Sequence, residues 1–169
     1  MIKAKMEELM NQQVNAEFAS SHLYLSMAAW FESESFPGMA SWMKLQASEE
    51  HGHAMKFFEH LVARGGKVKL SAVDAPAQSW AGPEATFEAA AAHEAKISSL
   101  IHGLMDQAQA EKDHASAAFL QWFVTEQVEE ESTVQNIVTQ LKMVAGSKGS
   151  LLMIDHKLAK RAAEGSGRH

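Results

Sequence analysis

The chain has 169 residues, 46% of them apolar, with a net charge of -6 and no cysteine. That length suits one domain with a sizeable core, and an acidic balance without a basic block argues against nucleic acid or a membrane surface as partner. The missing thiols exclude disulfides, thiolate-held metals and iron–sulfur clusters, fit a reducing, cytoplasmic setting, and leave oxygen and nitrogen as the ligands of any metal.

The residues Met1 to Met10 set Lys3, Lys5, Glu7 and Glu8 among apolar neighbours, as in the opening turns of an amphipathic helix and unlike a signal peptide. No apolar run approaches the length of a membrane span. A first helix is predicted from Lys3 to Ser33, followed by a turn at Phe36, Pro37 and Gly38, since proline is tolerated in a first helical turn. The second helix continues to Arg64 and stops at Gly65 and Gly66. So short a connection makes the two antiparallel neighbours. From Lys67 to Gly82 the pattern is too irregular for a helix and too long for a tight turn, and reads as a crossover along the bundle. A third helix starts near Pro83 and runs to about Glu111; Asp113 is the expected N-cap of a fourth, which reaches about Val144. Gly146 and Gly149 break the chain before a fifth helix, Ser150 to Ala163, with apolar positions at Leu151, Ile154, Leu158 and Ala162. It is too short to join the bundle as a full member, so its stripe is expected to be buried in oligomer contacts. The tail from Gly165 to His169 is small and polar and is expected to fray. The predicted fold is all-α: a four-helix bundle over residues 1–145 with one long crossover between its second and third helices. Residues 146–169 add the short fifth helix and the tail to the same domain.

Each long helix interrupts its own apolar stripe with polar groups. The first stripe reads Met6, Met10, Gln13, Glu17, Ser20, Tyr24, Met27, Phe31, and the second Met39, Met43, Gln46, Glu50, His53, Phe57, Leu61. The third reads Phe87, Ala90, Glu94, Ile97, Ile101, Leu104, and the fourth Leu120, Phe123, Gln127, Glu130, Val134, Ile137, Leu141. Alternating steps of three and four keep side chains on one face, so these polar groups point where the apolar ones do. In an antiparallel bundle Glu17, Glu50 with His53, Glu94, and Gln127 with Glu130 fall at similar heights. One such Glu alone ordinarily sits at an edge or is held uncharged. Four together in a dry core each cost several kcal/mol of desolvation, in sum comparable with a domain's whole stability of roughly 5–15 kcal/mol. No Lys or Arg lies mid-stripe to compensate, so divalent cations are the expected counter-charge. Carboxylates with one imidazole and no sulfur suit iron or manganese better than a closed tetrahedral zinc site.

With Glu17 and Tyr24 seven residues apart, Glu49-Glu50-His51-Gly52-His53, Glu94, and Glu126-Gln127-Val128-Glu129-Glu130, nearly the whole chain resembles a ferritin of the bacterial non-haem type. The resemblance implies a ferroxidase that stores iron. Glu17, Glu50 and His53 would hold a first iron and Glu50, Glu94 and Glu130 a second, with Glu50 bridging and Gln127 lining the site. A third, weaker iron site would use Glu49, Glu126, Glu129 and Glu130. Tyr24 would hydrogen-bond a ligand or give an electron to bound oxygen; by itself it also reads as a core tyrosine with a satisfied hydroxyl. Fe(II) with dioxygen or hydrogen peroxide would be the substrates, and a homo-oligomeric shell of twenty-four subunits the container, with the fifth helix at its fourfold axes. Bacterioferritins are similar but carry a second Glu-x-x-His on the fourth helix and a haem-binding Met where this chain has His51, so no haem is expected. Rubrerythrin-like or oxygenase di-iron enzymes are the alternative reading, with no mineral store; a metal-free scaffold is a third. The remaining histidines, His22, His60, His93, His102, His114 and His156, read as surface or packing residues.

Overall fold

The computed structural model describes residues 1–165, and these form five helices with no strand among them. They are α1 (Ala4–Ser33), α2 (Pro37–Ala63), α3 (Pro83–Ala110), α4 (His114–Met143) and α5 (Lys148–Gly165). The predicted bounds hold to within about two residues, and the tail beyond residue 165 lies outside the described residues. Among the described residues no helix is long and apolar enough to cross a membrane.

The helix ends explain themselves locally. At the end of α2, Gly65 takes φ +72°, the Gly66 amide donates to the Leu61 carbonyl (2.8 Å) and the Gly65 amide to that of Val62 (3.0 Å), a Schellman stop. The same geometry ends α1 and α3 with residues that rarely adopt it: Ser35 (φ 64°) and Lys112 (φ 54°). Asp113 caps α4 as expected, accepting from the Ser116 amide (3.2 Å), and Arg64, the C-cap of α2, donates to the same carboxylate (3.0 Å). The break before α5 is at Gly146 (φ +82°); Gly149 lies inside the helix, and Ser147 caps it through Ser150 N (3.4 Å).

The crossover is pinned to α1 by side-chain amides. Asn11 Nδ2 donates to the Lys67 carbonyl (2.9 Å) while its oxygen accepts from the Lys69 amide (2.6 Å). Asn15 repeats the pattern one turn on with Lys69 (3.1 Å) and Ser71 (2.7 Å), Ser26 donates to the Ala77 carbonyl (2.6 Å), and Trp80 packs edge-on to Trp30. The segment therefore climbs α1 from its N-terminal to its C-terminal end. It starts α3 beside the start of α2, so α3 runs parallel to α2 and α4 returns antiparallel.

The fifth helix corrects an expectation. Its stripe is buried within the same chain: Ile154 and Leu158 join the core that includes Met39, Trp42 and Leu141, and α5 packs chiefly on α2. The close approach rests on Gly38, where a Cβ would collide with the Asp155 backbone, and Asp155 itself accepts from the Met39 amide (2.8 Å) in the first turn of α2. The opposite face leaves Leu152 and Met153 exposed.

Candidate metal centre

The bundle interior is two apolar clusters with a polar layer between them. One holds Tyr24, Met27, Phe31, Met43, Phe87 and Val134, the other Met10, Val14, Phe57, Ile97, Leu120 and Phe123. Between them lie Gln13, Glu17, Gln46, Glu50, His53, Glu94, Gln127 and Glu130, all buried, with Glu130 the most exposed of the eight at 8%. The four stripes thus meet at one height.

Glu17, Glu50 and His53 come together most tightly: each offers a ligand atom, and the three atoms lie within 4.8 Å of one another. The i, i+3 spacing on α2 sets Glu50 Oε2 3.2 Å from His53 Nδ1. Glu94 and Glu130 flank this group, close enough for their charges to act on Glu50. Three amides hold the carboxylates from behind. Gln13 Nε2 donates to Glu17 Oε1 (2.8 Å), Gln46 Nε2 to Glu130 Oε2 (3.1 Å) and Gln127 Nε2 to Glu94 Oε2 (3.2 Å). Tyr24 donates its hydroxyl proton to Glu94 Oε1. Sequence reasoning placed Gln13 and Gln46 on the stripes without giving them work. The four-residue step from Gln13 to Glu17 is a local signal for one; Gln46 reaches Glu130 across the bundle, 84 residues away in sequence.

Burial dominates the electrostatics. It raises Glu17 and Glu50 well above the usual carboxyl range, with the charge on Glu50 adding to Glu17 and that on Glu94 adding to Glu50. Burial, then the charges of Glu94, Glu49 and Glu126, pushes Glu130 up to about 8. Glu94 is raised by burial but opposed by its bonds from Tyr24 and Gln127. Burial also lowers His53, favouring the neutral imidazole whose lone pair a metal needs. Glu17 Oε2 is buried with no hydrogen-bond partner. A buried acceptor without a donor is costly, and a cation among these oxygens removes that cost; the donor set fits a hard divalent ion.

The outlying residues divide. Glu49 and Glu126, both half-buried, lie near enough for their charges to reach Glu130 and His53. Glu129 is exposed. His51 points away and packs against Phe18. His93 is a packing residue, one of the two roles the sequence left open for it: its Nε2 meets Ser20 Oγ at 2.7 Å, its ring stands edge-on to Tyr24, and burial lowers it to about 4. Trp122, edge-on to His53, carries Lys56 Nζ 3.7 Å from its ring centroid.

The sequence matches the ferritin-like domain family over residues 7–144. The chain belongs to the ferritin family. Its similarity to the bacterial non-heme ferritin of Bacteroides fragilis (strain 638R) is 45% identity over 161 residues, covering 95% of this chain and all of that protein. A probable bacterial non-heme ferritin-like protein of Haemophilus influenzae is 36% identical over 158 residues, covering 94% of this chain and 96% of that one. Among solved structures, an open pore ferritin of the archaeon Archaeoglobus fulgidus matches with a TM-score of 0.93 and 45% identity, covering 94% of this chain and 98% of that one. The four-helix bundle with its short fifth helix is accordingly the ferritin fold.

Proposed function

We propose that this ferritin oxidises Fe(II) at the buried layer and stores the product as ferric mineral inside an oligomeric shell. The observation that carries this is the buried Glu17–Glu50–His53 triad with its orphaned carboxylate oxygen. Glu17, Glu50 and His53 would take one Fe(II), and Glu50, Glu94 and Glu130 a second, with Glu50 shared and Gln127 bordering the second ion. Two Fe(II) each give up one electron; dioxygen takes both and, with two protons, leaves as hydrogen peroxide, which is itself an oxidant for further Fe(II). Anionic oxygen donors favour Fe(III) over Fe(II) and so drive the transfer. Tyr24, which donates to Glu94, would orient that carboxylate. Glu49, Glu126 and Glu129 with Glu130 would form a weaker third station beside the pair.

Storage needs a container, since no bundle of this size encloses a mineral. The membership of the family supports a hollow shell, which we take to have twenty-four subunits, and the cysteine-free composition suits a cytoplasmic location. The test is to titrate the metal-free protein with Fe(II) without air, admit air, and measure particle size and retained iron. A large particle that holds far more iron than its carboxylates can ligate is the expected result. A small oligomer with two or three ions per chain overturns the storage reading and leaves a di-iron redox enzyme. Glu17→Ala or His53→Ala is expected to slow the first oxidation at least a hundredfold, seen by stopped-flow absorbance, with assembly unchanged.

A further inference from the structure

The Gln127 amide is held from its outer side by a pair to which the metal layer itself gives no role. Its Nε2 reaches Glu94 Oε2 (3.2 Å), the Glu94 carbonyl (3.3 Å) and Ser98 Oγ (3.2 Å). Ser98, one turn beyond Glu94 on α3 and buried, donates its own proton to Glu131 of α4. A hydroxyl has a single proton, so once this is given to a carboxylate its oxygen can only accept. Ser98 therefore requires a nitrogen, not an oxygen, from the neighbouring amide. The direction runs one way, from the Gln127 N–H groups outward to Ser98 and inward to Glu94.

Ser98, Glu131 and Gln127 also share a groove that opens to water. The groove, of about 580 Å³, descends between α3 and α4, past the small side chains of Ala91 and Ala95, to these three residues. Water in place of the Ser98 hydroxyl donates as readily as it accepts, so it would not choose between the two orientations of the amide. A flipped Gln127 would turn its oxygen toward Glu94, replacing a donor to that carboxylate with a repelling acceptor.

We propose that Ser98 and Glu131 are positioning residues for the second iron, acting through Gln127 on Glu94 without touching the ion. This rests on the assignment of Glu94 and Glu130 to the second site. It predicts that Ser98→Ala weakens the second metal by about tenfold, the lower end of the range found when a ligand's own hydrogen-bond partner is removed, because Ser98 acts one partner further out, while the first ion on Glu17, Glu50 and His53 is unaffected. Ser98→Thr, which keeps the hydroxyl, should restore it, and Glu131→Ala should follow Ser98→Ala.

Co(II) titration of the assembled, metal-free protein, followed by visible absorption, tests this, because each ion adds its own ligand-field bands. The unmodified protein is expected to bind in two steps, with only the second weakened by Ser98→Ala and recovered in Ser98→Thr. Two unchanged steps in Ser98→Ala would overturn the positioning role and leave the di-iron reading intact. Equal weakening of both steps with a lower melting temperature would overturn it in favour of a general packing role. If the unmodified protein itself lacks a second step, the two-ion centre falls and the positioning role with it.

Discussion

At Glu130 the cost of the site is visible in one side chain: burial and the charges around it lift its pKa from the ordinary 4.5 to about 8. A carboxyl raised by folding stabilises the fold while protonated, and that contribution is lost as pH rises through the folded value. Glu17 and Glu50 shift the same way; the lowered His53 and His93 oppose them only up to the ordinary imidazole value of 6.5, so the metal-free protein should lose stability between pH about 6.5 and 8. Urea unfolding of chelator-treated protein at several pH values checks the sign, and a flat or rising profile contradicts it. Divalent metal should abolish the loss and release protons on binding. Glu50→Gln offers two readouts: with no carboxyl to titrate, the metal-free protein should lose less stability toward pH 8 than the unmodified protein does, and Fe(II) oxidation should fall by at least about two orders of magnitude. A variant that lost both stability and oxidation would mean that Glu50 is a packing residue first.

Among the helices, what the sequence told and what it hid separate by range. Pro37, Gly65, Gly66, Pro83 and Asp113 act within a turn of their own position, and the ends they predict are the ends observed. Ser35 and Lys112 were missed because nothing in their side chains announces a left-handed backbone. Asn11 and Asn15 were missed because their partners lie more than fifty residues away. The same rule holds in the site. Glu17, Glu50, His53, Glu94 and Glu130 were legible from periodicity alone, whereas the Gln46–Glu130 and Ser98–Glu131 bonds join different helices. Asp155 is the clearest long-range case, capping α2 from α5. Asp155→Ala should cost about 1–2 kcal/mol and speed hydrogen exchange in α5 and at Met39. Gly38→Ala should do so more strongly, because the two backbones must part. Unaltered exchange in α5 in both variants would show that its apolar stripe alone holds it.

For the molecule as a whole, the apolar interior is interrupted at mid-height by groups that repel one another until a cation arrives. Metal at a hundred times its dissociation constant should therefore add about 2.7 kcal/mol per site. The added protection from hydrogen exchange should be greatest around residues 13–20, 46–54, 90–98 and 127–131. Uniform protection along every helix would instead point to a global effect. In mechanical terms the polar layer is a seam between two apolar blocks, and a cation seated in it would act as a rivet. On the proposed function, a loaded subunit should be stiffer at that height than an empty one, and mid-helix exchange rates should report how many of its sites are filled.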